Sequence, residues 1–158
     1  MFNKKRFWGL MVGIVTFFVI LLFVWPHSLL NSIDSDIQSM SVVVVESYGH
    51  DTATYKYNID DPSFDAIMDI LNQYSCHISL NTISKHLEKR VELEGNLAGY
   101  WLNINLYTEP DCYGECYQIT SGGTGEVIID DGVYRMGYWG NKVALKFMNE
   151  ICQVVDSD

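Results

Sequence analysis

The chain has 158 residues, with ten Lys and Arg against twenty Asp and Glu, four His and four Cys. That length suits one domain of ordinary size, and a composition 48% hydrophobic and 19% charged excludes a disordered chain. No string matches a catalytic or cofactor motif specific enough to name a reaction, and no cofactor is expected.

At the start, Lys4, Lys5 and Arg6 precede nineteen uncharged residues, Phe7 to Trp25. As an α-helix that run spans about 28 Å, against roughly 30 Å for the hydrocarbon core of a bilayer. Trp8 and Trp25 stand at its two ends, where interfacial aromatic residues belong. The basic cluster predicts a cytoplasmic N-terminus and an external location for everything after Pro26. A cleaved secretory signal has an apolar region of about 7 to 15 residues and a small-residue site. Val24-Trp25-Pro26-His27 offers no such site. The expected organisation is therefore a basic cytoplasmic start over 1–6, a transmembrane anchor over 7–26, a polar stalk over 27–40 and an extracytoplasmic domain over 41–158. The bilayer is the first expected partner. Gly9 and Gly13 form a G-x-x-x-G spacing through which two such helices could pair as a homodimer.

Residues 27–158 hold seven basic and all twenty acidic side chains, a net charge of −13. Such a field repels nucleic acid and anionic headgroups and favours cations or basic partners. The plainer reading is that it keeps an external domain soluble.

From Ser41 the chain reads as a hairpin, SVVVVES and the alternating TATYKYN flanking Tyr48-Gly49-His50-Asp51. Asp61 and Pro62 announce a helix from about Pro62 to Ser75, with Phe64, Ile67, Met68, Leu71 and Tyr74 at helical spacing. Cys76 to Asn96 divides between helix and strand signals. Over Tyr100 to Tyr107, Leu102, Ile104 and Leu106 point one way and Asn103 and Asn105 the other. Tyr117 to Thr120 and Glu126 to Ile129 read as strands joined by a glycine-rich loop, and Asp131-Gly132 as the turn into Val133 to Met136. After Gly140 and an Asn141 cap, Val143, Ala144, Phe147, Ile151 and Val155 line one face of a last helix. The fold class expected is α+β: a transmembrane helix, then one antiparallel-sheet domain ordered hairpin-helix-meander-helix.

Cys76, Cys112, Cys116 and Cys152 all lie in the part expected outside, where an even number argues for two disulfides. Three connectivities are possible; Cys112–Cys116 and Cys76–Cys152 are favoured. A metal or redox role for Cys-Tyr-Gly-Glu-Cys competes, because two thiolates four apart can hold zinc or exchange electrons. Yet His50, His77 and His86 show no spacing that would complete a zinc site. His50-Asp51 lacks a partnering serine elbow, and the Ser121 to Gly125 loop lacks the Gly-Lys-Ser/Thr ending of a phosphate loop. Asp60-Asp61 and Asp130-Asp131 lack the alternating ligand order of a calcium loop.

The remaining candidates are aromatic. Tyr100-Trp101 and Tyr138-Trp139 are adjacent pairs, each beside a glycine. If both lie in strands, Trp101 shares a polar face with Asn103, Asn105 and Tyr107, and Trp139 offers a second such surface for a sugar ring or a peptide. Burial of both tryptophans under a helix is the competing reading.

The Lys4 to Trp25 segment, the Ile59-Asp60-Asp61-Pro62 approach to the first domain helix and the Val127 to Tyr134 hairpin resemble small single-pass proteins of Gram-positive bacteria with an outer domain of unknown function. That resemblance implies location and class, and carries over no catalytic residue. The function expected is an anchored extracytoplasmic domain that binds or senses a protein, peptide or glycan at the cell surface. The alternatives are a surface thiol- or metal-dependent enzyme using Cys112 and Cys116, and a subunit or immunity-type partner of a membrane complex.

Overall fold

The computed structural model describes residues 4–30, 33, 36–46, 52–87 and 100–157. Helix α1 (Lys4–Val24) leads into strand β1 (His27–Ser28), then β2 (Ser39–Glu46) and β3 (Thr52–Asn58). Helix α2 (Pro62–Gln73), strand β4 (Ser75–His77) and the short helix α3 (Ile83–Leu87) follow. Strand β5 (Tyr100–Glu109) is joined by a 3₁₀ turn, Pro110–Cys112, to β6 (Tyr113–Ser121). Strands β7 (Glu126–Ile129) and β8 (Gly132–Met136) and helix α4 (Lys142–Val155) complete the chain. The strands form one antiparallel sheet of eight in the order β1-β4-β8-β7-β6-β5-β2-β3. The expected α+β class with an antiparallel sheet is the fold observed.

Alternation along the strands divides the sheet into two faces. Met40 and Val42, Leu102, Ile104 and Leu106, Ile119, Val127 and Met136 point to one side and are essentially buried. Against them pack Phe64, Ile67 and Leu71 of α2 and Phe147, Met148 and Ile151 of α4, in one continuous core. Helix α2 starts where the sequence sets it: the Asp61 carboxylate accepts the Ser63 amide at 2.9 Å, and Pro62 occupies the first turn.

Several expectations are corrected. The first domain helix stops at Gln73, because Tyr74 turns to φ −101°, ψ 147° and Ser75–His77 pairs between β1 and β8. Residues 27–40 are not simply a polar stalk: His27–Ser28 is the edge strand, and Leu29 and Ile37 are buried in the core. The turn between β7 and β8 is Asp130-Asp131, with Gly132 already paired to Ile129 and Asp130 at φ +49°. Asn141 stands at the start of α4 without a side-chain capping bond. Tyr48 to Asp51, and the ambiguous stretch from Glu88 to Asn96, lie outside the described residues. Among the described residues, no helix is long and apolar enough to cross a membrane.

Candidate functional site

The second face of the sheet is polar at its centre. Trp101, Asn103, Asn105 and Tyr107 of β5 all lie on it, half-buried, as the alternation predicts. Register then brings residues from both neighbouring strands beside them. Asn103 lies between Val43 and Thr120, Asn105 between Ser41 and Gln118, and Tyr107 between Ser39 and Cys116.

These side chains are linked by hydrogen bonds. Asn105 Nδ2 donates to Ser41 Oγ at 3.2 Å. The Tyr107 phenol is in turn hydrogen-bonded to the Ser41 hydroxyl and to the Cys116 sulfur. The Tyr107 phenol sits above its ordinary value: the Ser41 bond favours the ionised ring, but burial and the two nearby thiols outweigh it. Burial also pushes the Cys116 thiol up; the Tyr107 bond offsets part of this, and Asp130 and Cys112 add to it. Near neutral pH Cys116 is therefore a thiol. One member of the face is unsatisfied: Asn103 Oδ1 is buried with no hydrogen-bond partner among the described residues.

Cys112 reaches this neighbourhood through a constrained turn. Asp111 and Cys112 both hold positive φ, 57° and 63°, a conformation that side chains with a Cβ rarely adopt. Two strands hold it there. Asn58 accepts the Asp111 amide at 3.0 Å and donates to its carboxylate at 3.2 Å. Ser39 Oγ accepts the Cys112 amide at 2.9 Å while donating to the Glu109 carbonyl at 2.6 Å. Cys112 Sγ rests on the Met40 carbonyl at 3.5 Å, and Cys112 and Cys116 are close enough to interact electrostatically. Gly114, at φ +83°, allows the chain to return: a Cβ there would lie 2.6 Å from Thr108 Oγ1.

All four cysteines are free thiols in this structure. The Cys76–Cys152 bridge is not formed. Cys76 is 1% exposed in β4 and behaves as a small core residue, its thiol pushed up to about 12 by burial, while Cys152 is half-buried on α4. Cys112 and Cys116 are likewise unbonded. Trp139 is 91% exposed in the loop between β8 and α4, so it is not a strand residue and does not share the face of Trp101. Its neighbour Tyr138 stacks on His77, with ring centroids 4.6 Å apart. A Cβ at Gly9 or Gly13 would meet nothing within 4 Å.

Two other polar features lie near the β4 and β8 edge. Glu126, 2% exposed, is paired with Lys85 of α3 at 3.0 Å. His77 is held below its ordinary value by burial, then by Arg135 and His27. A cleft of about 460 Å³ opens between Tyr74 and Ser75 on one side and Lys142 and Lys146 on the other. Among the described residues, no group of three or more His, Cys, Asp or Glu is placed to hold a metal ion.

The sequence points separately to the polar face and to the cysteine pair; the structure joins them. The available signal was the midpoint of the hairpin. A turn centred on Asp111-Cys112 sets Tyr107 opposite Cys116, and β2 then contributes Ser41. No protein-family model, no curated protein and no solved structure matches the chain.

Proposed function

We propose that the chain is a single-pass, membrane-anchored extracytoplasmic domain that binds or senses a ligand through the polar face of its sheet. The observation that carries the anchor is the exposure of α1 around its whole circumference. Every residue from Phe7 to Ile20 is exposed, and Phe7, Trp8, Leu10, Val12, Phe17 and Phe18 are each at least 54% accessible. A helix apolar all round belongs in a protein core or in lipid, and none of the described α1 side chains enters the core. Leu22, Phe23, Val24 and Trp25 extend the uncharged sequence to the nineteen residues a span requires. Lys4, Lys5 and Arg6 orient it with the N-terminus inside.

The binding half of the reading rests on Asn103. A buried acceptor without a partner costs about 1–3 kcal/mol, and a ligand donor would remove that cost. Trp101 beside it supplies a stacking surface, and the net charge of −13 favours a cationic partner. The test titrates the full chain in detergent micelles with tetralysine and with cellotetraose, following tryptophan fluorescence. A saturable change that is lost in Trp101→Ala and kept in Trp139→Ala is expected. Saturation unchanged in Trp101→Ala would remove the face from the account. Pairing of two anchors through Gly9 and Gly13 is a further part of this proposal, and Gly9→Leu with Gly13→Leu would abolish it.

A further inference from the structure

We infer that the end of the domain nearest the anchor seats on the bilayer, with Trp139 in the interface and an anionic lipid headgroup held by Lys142 and Lys146 in the cleft beside it. The inference rests on the reading of α1 as an anchor and adds the surface that meets the lipid. Register supplies the placement. His27, two residues after Trp25, pairs with Cys76, and Cys76 pairs with Met136, the last residue of β8. Two strand spacings, about 10 Å, therefore separate the exit from α1 and the start of the loop over 137–140. With Trp25 at the outer edge of the span, that loop is within reach of the headgroup layer. Trp139 is 91% exposed, and the loop that carries it is tied down. Tyr138 stacks on His77, Arg135 Nη2 donates to the Gly140 carbonyl at 2.8 Å, and Gly137 passes so close to Val143 that a Cβ would lie 2.7 Å from its Cγ2. The exposure is thus a fixed feature of the fold, and Tyr138 and Val143, also exposed, extend the apolar surface. Tryptophan presented in this way suits the interfacial layer of a bilayer, where the ring and its N–H are both accommodated.

Charge is divided to match. Among the described basic residues after Pro26, Lys85, Arg135, Lys142 and Lys146 lie around the end of β8 and the start of α4, and only Lys56 lies elsewhere, on β3. Lys85 is committed to Glu126 and Arg135 to the Gly140 carbonyl. Lys142 and Lys146 are exposed and line the cleft of about 460 Å³. Lys146 meets Glu150 at 3.4 Å in an exposed, weak pair, and Glu150 also accepts the Tyr74 hydroxyl at 2.6 Å. Lys142 has no ion-pair partner among the described residues. A phosphate between the two ammonium groups would complete both. Glu109, Asp111, Glu115, Asp130 and Asp131 lie at the opposite end of the sheet, so repulsion from an anionic surface turns that end away and the lysines toward it.

The experiment reconstitutes the full chain carrying Trp8→Phe, Trp25→Phe and Trp101→Phe, so that Trp139 is the sole tryptophan, into vesicles of phosphatidylcholine with and without phosphatidylglycerol. Emission is quenched from the lipid side by brominated acyl chains and from the water side by acrylamide. With phosphatidylglycerol present, Trp139 should emit at shorter wavelength, be quenched by the brominated lipid and be shielded from acrylamide. Lys142→Gln with Lys146→Gln should undo this, each lysine lowering the ratio of seated to free domain about fivefold, whereas Lys56→Gln should change nothing. The difference in quenching between the unmodified chain and Trp139→Ala reads the same contact independently of the three Phe substitutions. Shielding that is equal in both lipids and indifferent to the lysine variants would overturn the headgroup site. Trp139 open to acrylamide in both lipids, in protein that stays with carbonate-washed vesicles, would overturn the seat and leave the anchor standing. Unmodified protein released by carbonate would overturn the anchor and the seat together.

Discussion

At the scale of single residues, the molecule keeps polar groups where apolar ones would be more stable. Asn103 is the clearest case. Its neighbours Leu102 and Ile104 face the core, and its own Oδ1 is buried and unpartnered among the described residues. Replacing it with Val removes the unmet acceptor and suits a strand, so Asn103→Val should raise stability by about 1 kcal/mol in thermal or urea unfolding. Destabilisation would show that Asn103 serves the fold instead. His77 gives a pH dependence whose sign follows from its surroundings. Burial and the charges of Arg135 and His27 depress its folded-state value, so its neutral form is the one the fold keeps. The stability this contributes is present above the ordinary histidine value of about 6.5 and is lost as pH falls through the lower folded value. Melting temperature should therefore fall between pH 7 and pH 5, and His77→Phe should flatten that slope.

At the scale of elements, what was legible followed periodicity. Strand β5 declares both faces through Leu102, Ile104 and Leu106 against Asn103 and Asn105, and α2 declares its start through Asp61 and Pro62. Short elements carry no such signal. Strand β4 has three residues and β1 has two, and each exists because a neighbouring strand pairs with it, a tertiary cause that local patterning cannot register. The same holds for α3, whose five residues are placed by the Lys85–Glu126 contact over β7. Glu126→Leu removes the carboxylate from a largely buried ion pair and should destabilise the fold in unfolding experiments. The double variant Lys85→Met with Glu126→Leu should recover most of that loss. If both variants unfold alike, the pair is not what holds α3 down. The candidate site was half legible for a related reason. Its β5 members repeat every second residue, but Ser41 and Cys116 join them only through strand register.

At the scale of the whole molecule, strand direction relates the site to α1. His27 pairs with Cys76, and Cys76 with Met136 at the end of β8, so the chain leaves α1 at the sheet end where β8 ends and β5 begins, away from the Asp130-Asp131 turn. Trp101 lies toward that end, and Tyr107, Cys112 and Cys116 lie at the other. Glu109, Asp111, Glu115, Asp130 and Asp131 gather at the end opposite the one from which α1 departs. Like-charge repulsion would hold that acidic end away from anionic headgroups.

The central claim is that α1 is an anchor and that the sheet domain lies outside the cell. It is tested most directly by labelling Cys116 in intact cells expressing the full chain with Cys76→Ala and Cys152→Ser. Cells are first treated with a membrane-impermeant phosphine reductant and then with a membrane-impermeant maleimide. The membranes are then washed in alkaline carbonate. The account predicts label on Cys116 without permeabilisation, in protein that stays with the carbonate-washed membranes. Label appearing only after the cells are opened, or protein released by carbonate, would contradict it.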